Sequence, residues 1–496
     1  LAFLIAGVLN GIYSLHIKDK LQDAAGLIYS GAAVAAVFAG DLLTLFLFWE
    51  LTAIASVFLI WATPTQAAYK AGLRYISIQI LSGVLLLAGA AVYGSQTGSL
   101  AFNEIGLDAP GAWLIFLAFG IKAAFPLLHN WLQDAYPQAT PTGAVILSAF
   151  TTKLAVYALM RGFPGEDSLI WIGAIMTVFP VFFAVIENDL RRVLAYSLNN
   201  QVGFMVCAIG IGTPLALNGA SAHAFAHIIY KGLLFMSLGA VMHRLGTTKA
   251  TELGGLHRTM PFTAICCIIG AVSISAFPLF SGFVAKSLTM SAVQQEGLIV
   301  IWLMLLFASA GVLEHSGIKI PYFTFFGHDS GKRPKEAPFN MSLAMGLAAF
   351  LCVLVGVIPH LTLYRILPFQ EVADYQPYTA DHVLTQLQLL VLAAFAFALL
   401  KQLKVYPAER RGVVLDTDWF YRRVGHDFIR WLGAVISRMY SGFQAALEAM
   451  SHRFGRQFTA AFSPEGQLSR SGLTSAMGVW TAVLLGLVLG LAMFGS

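Results

Sequence analysis

Seven side chains that can ionise or carry protons stand out in this chain because they sit inside apolar runs. Glu50 lies in Phe46-Leu-Phe-Trp49-Glu50-Leu51, and Lys122 in Gly120-Ile-Lys122-Ala-Ala-Phe125-Pro126-Leu127. Lys153 lies in Ala149-Phe-Thr-Thr-Lys153-Leu-Ala-Val-Tyr157. His223, His227 and Lys231 are spaced i, i+4 and i+8, which places them on one helix face. Lys286 follows Ser275-Ala-Phe277-Pro278-Leu279 by a few residues. A charge at the centre of a bilayer costs several kcal/mol unless it is paired or hydrated, so each needs a reason. The types fit proton handling. Burial favours neutral lysine and a nearby carboxylate favours the charged form, so a Glu near a Lys is a switch set by their separation. Histidine titrates near neutral pH and exchanges protons at either ring nitrogen. Such groups bridged by water make a proton relay. Other readings stand beside this one. Glu50 could be a structural ion-pair partner, Lys122 and Lys286 could cap freed carbonyls, and the histidines could be satisfied core residues. His-x-x-x-His is also half of a zinc site, but no third ligand at suitable spacing accompanies it, so no metal is expected. Lys153 is hardest to set aside, having no break nearby and no obvious local partner.

The elements that must hold these residues are membrane helices. Hydrophobic residues make up 58% of the chain and charged ones 11%, with mean hydropathy +0.74. A soluble domain carries about 25% charged residues. About fourteen apolar windows recur, from a partial one at 1–13 to the last at 475–494, and predict an all-α polytopic membrane protein. Ala-Phe-Pro-Leu occurs twice, at 124–127 and 276–279. Proline in a membrane helix opens the backbone, and lipid offers the freed carbonyl no partner. Two kinks alone would explain the prolines, but interrupted helices at matching places in two halves point to a repeat-built transporter. Five segments fall in 24–162 and five in 163–327, the fourth of each being the broken one. Five is odd, so the repeats are expected to be inverted. The rest divides into 1–23 (end of an N-terminal helix region), 328–405 (further membrane helices), 406–473 and 474–496.

Loop charge alternates. Basic loops hold Lys18 and Lys20; Lys70 and Arg74; Arg191 and Arg192; Arg244, Lys249 and Arg258; Lys332, Arg333 and Lys335; and Lys401, Lys404, Arg410 and Arg411. The intervening loops hold mainly acids, among them Glu104, Asp108, Glu296, Glu371, Asp374 and Asp381, while Arg161 and Arg365 depart from the pattern. The basic side is therefore expected to be cytoplasmic. From Phe420 to Phe454 apolar residues recur every three or four positions, with Arg422, Arg423, Arg430, Arg438, Arg453 and Arg456 among them. That pattern predicts a basic amphipathic helix lying along a membrane surface, roughly 50–60 Å long, followed by an anchor helix at 474–496. A soluble helix pair is the alternative. Cys207, Cys266, Cys267 and Cys352 lie inside apolar windows without metal-ligand spacing. No phosphate loop, dinucleotide fingerprint or haem motif is present, so no cofactor is expected. The net charge of +5 needs no nucleic acid to explain it. The chain opens on Leu1 within an apolar run, so residues upstream are expected.

Several runs carry a resemblance. They are Asp41-Leu-Leu-Thr-Leu-Phe-Leu-Phe-Trp49-Glu50-Leu51, Phe125-Pro126-Leu-Leu-His129-x-Trp131-Leu-x-Asp134, Asp189-Leu-Arg191-Arg192-Val-Leu-Ala-Tyr196-Ser197, His227-x-x-x-Lys231-Gly-Leu-Leu-Phe and Ser281-Gly-Phe-Val-Ala-Lys286. Over roughly residues 24–330 the chain is similar to the proton-conducting antiporter-like membrane proteins. That family includes the large subunits of Mrp-type multisubunit cation/proton antiporters and the antiporter-like subunits of respiratory complex I. The resemblance implies that Glu50 and Lys122 control the first half-channel. It implies that Lys153, His227 and Lys231 connect the halves at mid-membrane depth and that Lys286 ends the second. His223 matches a histidine found in some members only, and some have glutamate where Lys286 stands. The run Glu314-His315-Ser-Gly-Ile-Lys319 resembles the D-type branch of the Mrp subunits. The amphipathic tail and anchor look more like the lateral helix of the distal complex I subunit.

The expectation is a proton-translocating subunit of a multisubunit Na+/proton antiporter in a bacterial-type inner membrane, with other membrane subunits as partners. Its alternative is the same relay in a redox- or carbon-uptake-linked complex, in which this chain carries no redox chemistry itself. A scaffold without transport, or a stand-alone carrier of an organic solute, fits the buried charges less well.

Overall fold

The computed structural model describes residues 1–370, 374–407, 409–410, 412, 414–466 and 474–494. Glu371 and Arg411 of the loop-charge pattern, and residues 467–473 and 495–496 of the expected tail, lie outside the described residues. The chain forms two compact units, Leu1–Asp416 and Thr417–Ser496. It is helical, with two isolated β-bridges and no strand among the described residues. Nine described helices are long and apolar enough to cross a membrane, and four shorter apolar helices accompany them.

In the first unit, α1 (Ala2–Ser14) precedes two sets of elements in the same order. The first set is α2 (Lys20–Val37), α3 (Leu42–Trp61), α4 (Gln66–Thr97), the broken pair α5 (Ala112–Ala123) and α6 (Asn130–Ala135), and α7 (Pro141–Gly162). The second is α8 (Asp167–Ile186), α9 (Leu190–Ile211), α10 (Pro214–Leu245), the broken pair α11 (Pro261–Ile274) and α12 (Ser281–Gln295), and α13 (Ile299–Val312), which continues through π-type turns to Phe326.

Local chemistry sets the helix ends alike in both sets. Asp41 and Asp189 cap α3 and α9, each accepting from a backbone N–H of the first turn. The same two aspartates form antiparallel bridges to Ala101 and Lys249, just past the long helices. Those helices, α4 and α10, are 32 residues each and end on left-handed glycines, Gly98 (φ 72°) and Gly246 (φ 71°). A cation late in each set reaches back to the end of its first helix. Arg161 donates to the Ala39 carbonyl at 2.7 Å, and Lys319 to those of Val185 (2.6 Å) and Glu187 (2.7 Å).

The breaks share one backbone device. Ala124 (φ 65°) and Leu127 (φ 69°) flank Phe125-Pro126, and Ala276 (φ 58°) and Leu279 (φ 74°) flank Phe277-Pro278. Each left-handed L-residue costs about 1–2 kcal/mol, a cost that the surrounding packing must hold down. Arg191 of α9 joins the two sets. It is fully buried and donates to the carbonyls of Tyr136, Pro137, Ala139 and Thr140, in the link between α6 and α7. α14 (Phe339–Val357) packs on α1, α10, α11 and α12. α15 (Ala380–Gln402) completes the helices of this unit.

The second unit holds a π-type turn at Phe420–Gly425 that runs into α16 (His426–Phe462), then α17 (Thr474–Phe494). α16 has 37 residues, about 55 Å at 1.5 Å each. Its large apolar side chains, including Phe428, Trp431, Met439, Phe443 and Phe454, are exposed.

Candidate functional site

Glu50 faces α4, where Gly83 leaves room for it: a Cβ at Gly83 would overlap the Glu50 carboxylate. Oε1 of Glu50 has no hydrogen-bond partner, nor has either side-chain polar atom of the buried Gln79, one helical turn away on α4. Lys122 occupies the last turn of α5, just before the break. It donates to the Trp49 carbonyl (2.9 Å) and Thr52 Oγ1 (3.0 Å), and its Nζ lies 4.2 Å from the centroid of the Trp49 ring. That ring is fixed in turn. Trp49 Nε1 donates to Ser82 Oγ at 3.0 Å, and Ser82 donates to the Ala118 carbonyl at 2.7 Å. Glu50 and Lys122 thus approach the same turn of α3 without Lys122 spending its hydrogen bonds on the carboxylate.

Lys153 of α7 is buried and does have local partners, which the sequence did not reveal. Its Nζ donates to the Ser148 carbonyl (2.6 Å) and Thr152 Oγ1 (3.2 Å). On α10, His223, His227 and Lys231 are all fully buried. Both nitrogens of His227 and the Nζ of Lys231 have no protein partner. His223 Nε2 lies 3.1 Å from Gln201 Oε1 and 3.0 Å from Tyr230 Oη, and Tyr230 donates to the same Gln201 oxygen. Gln201 in turn donates through Nε2 to Asn200 Oδ1 at 2.6 Å, which fixes its amide. His223 Nδ1 has no protein partner. Lys286 of α12 donates to the Ile274 carbonyl at 2.9 Å, one of those freed by the second break, and its Nζ lies 5.1 Å from the Phe204 ring centroid. Capping and proton carriage are therefore compatible at this position.

Buried polar atoms without partners are costly, and water is the usual remedy. Among the described residues such atoms occur on Glu50, His223, His227 and Lys231, and on other buried side chains besides. Gln79, Gln201, Tyr230 and His315 are further fully buried polar side chains that escaped recognition from sequence. His315 is fully buried, with Nδ1 2.9 Å from Ser316 Oγ and Nε2 unpartnered, and Ser316 donates to Ser197 at 2.8 Å. The signal for Gln201 was present as the polar run Asn199-Asn200-Gln201 inside an apolar window.

The chain is similar to known proteins in sequence and in fold. A family model described as NADH:quinone oxidoreductase/Mrp antiporter, transmembrane region, matches residues 39–311. The D-type subunit of the Na(+)/H(+) antiporter of Alkalihalophilus pseudofirmus is 32% identical over 372 residues, covering 70% of this chain and 73% of that protein. Hydrogenase-4 component B of Escherichia coli is 29% identical over 375 residues, covering 66% of this chain and 55% of that protein, so the chain spans about half of that relative's length. The archaeal membrane-bound sulfane sulfur reductase, a respiratory membrane complex, contains a chain of similar fold. Its TM-score is 0.67 at 23% identity, with 99% of this chain and 87% of that one covered.

Proposed function

The chain belongs to the NADH:quinone oxidoreductase/Mrp antiporter transmembrane family, and from that premise we propose that it translocates protons as one membrane subunit of a multisubunit Na+/proton antiporter. One observation carries the reading: four lysines, two histidines and a glutamate are held inside the helices of both repeats, several with no protein partner. Glu50 sets the charge on Lys122. Lys153, His227 and Lys231 link the repeats, with His223 beside them, and Lys286 ends the path. Because each repeat has an odd number of spans, the two half-channels open to opposite faces. Acidic and basic loops assign the basic face to the cytoplasm of a bacterial-type inner membrane. We place the amphipathic α16 at a membrane surface.

Lys122→Ala is expected to abolish proton transport in membrane vesicles while the complex still assembles. Transport at the normal rate would sink the relay. A second reading, the same relay in a redox-driven complex, is favoured by the fold likeness that extends over 99% of the chain and so takes in the tail. Purifying the native complex gently and identifying its subunits decides between the two: small hydrophobic partners support the antiporter, and flavin and iron–sulfur partners the redox complex.

A further inference from the structure

The second break frees two successive carbonyls, and they are capped from different places. Ile274 O accepts from Lys286, whereas Ser275 O accepts from Gln386 Nε2 at 3.1 Å. Gln386 belongs to α15, which lies outside both repeats. Lys286 and Gln386 also line one cavity of about 260 Å³, together with Ser287, Ser291, Asp381 and His382. The lining runs from buried Lys286 to exposed Asp381, and the volume has room for several waters.

His382 lines the same cavity, with its ring held by contacts at both nitrogens. Nδ1 lies 3.3 Å from the Pro377 carbonyl and 3.5 Å from Tyr375 Oη. With the hydrogen on Nδ1, toward the carbonyl, Nε2 is the acceptor. Nε2 lies 3.3 Å from Ser291 Oγ, and Ser291 is 2.8 Å from Tyr375 Oη. Tyr375 stacks on the imidazole at 5.8 Å between centroids. The ring is thus oriented with Nε2 toward Ser291, where it can take up a proton.

We propose that the first turn of α15 builds the aqueous mouth of the second half-channel, with His382 passing the proton between Lys286 and the rim at Asp381. The inference rests on the relay reading above. In the outward direction the Lys286 ammonium loses a proton and becomes an amine. The proton crosses the cavity through water, adds to His382 Nε2 to form imidazolium, and leaves from that nitrogen to water at the rim. Uptake is the reverse. The mouth opens on the face whose loops carry Glu296 and Asp381, away from the basic loops.

The test uses the complete complex in membrane vesicles. His382→Ala is expected to slow proton transport at least about 100-fold, the lower range for losing a positioned proton-transfer group, and added imidazole is expected to restore part of it. A loss without imidazole rescue means that the ring only packs, and overturns the proposal. Normal transport in His382→Ala with transport abolished in Lys286→Ala places the mouth elsewhere and leaves the relay standing. Normal transport in both variants overturns the relay as well. Should His382→Ala fail to assemble, Thr385→Cys decides. Thr385 is exposed on the same cavity, and the four native cysteines are buried. A membrane-impermeant thiol reagent is expected to label that cysteine and block transport. Failure to label, or labelling without loss of transport, overturns the mouth.

Discussion

At the scale of single residues, the site depends on side chains that are absent as much as on those that are present. Glu50 sits where it does because Gly83 has no Cβ. Gly83→Ala must push the carboxylate away from its place beside α4. A displacement of an ångström or so in a proton path is expected to lower transport about 10-fold or more, with assembly retained, as read by proton uptake in vesicles. An unchanged rate would show that the carboxylate finds a second working rotamer. Lys153 is held differently. Its type and burial were legible, but its anchor on the Ser148 carbonyl lies on its own helix five residues back and owes nothing to a break. His223 is similar. Its i, i+4 spacing placed it on the α10 face with His227, but its Nε2 contact is to Gln201 on a different helix.

At the scale of elements, the duplicated Ala-Phe-Pro-Leu is more than a pair of prolines. Proline restricts its own φ and keeps the preceding residue extended. The turn is completed by left-handed Ala and Leu on either side, at matching angles in both halves. A β-branched residue tolerates that region poorly. Ala276→Val is therefore expected to destabilise the protein by about 2 kcal/mol or more, and Ala276→Gly to be close to neutral because glycine takes φ above zero freely. Thermal unfolding of the purified complex distinguishes these outcomes. Equal melting of the two variants would show that the break does not depend on the left-handed alanine. The duplicated motif and the five apolar windows of each half are written locally, which is why the two halves could be matched in the sequence, while the capping aspartates and the glycine ends of the two 32-residue helices came only with the structure. The closeness of the second break to α15 was not, because 111 residues separate Ser275 from Gln386.

At the scale of the whole first unit, the segment after α15 returns to the core through a series of polar contacts. Tyr406 donates to Glu314, Glu409 pairs with the fully buried Lys319 at 2.9 Å, and Asp416 meets His129 (3.1 Å) and Tyr196 (2.9 Å). One strap thus touches residues just past the first break and the far end of the second repeat. Removing one partner of a buried ion pair typically costs about 3–5 kcal/mol. Lys319 keeps three backbone carbonyls, so Glu409→Ala is expected near the lower end, about 3 kcal/mol, as a fall in melting temperature of the complex. No shift would mean that the carbonyls alone satisfy the lysine. The sequence by itself determined the apolar helices, the twofold repetition, the breaks and the seven charged or proton-bearing residues, because apolar period, the proline motif and the cost of burying charge all act over a few neighbouring residues. Only the tertiary structure decided what those residues touch: the Gly83 recess, the Gln201–Tyr230 pair, His315, the His382 cavity and the strap. Each joins segments tens to hundreds of residues apart, and such meetings are set by how helices pack against one another, which no local spacing encodes.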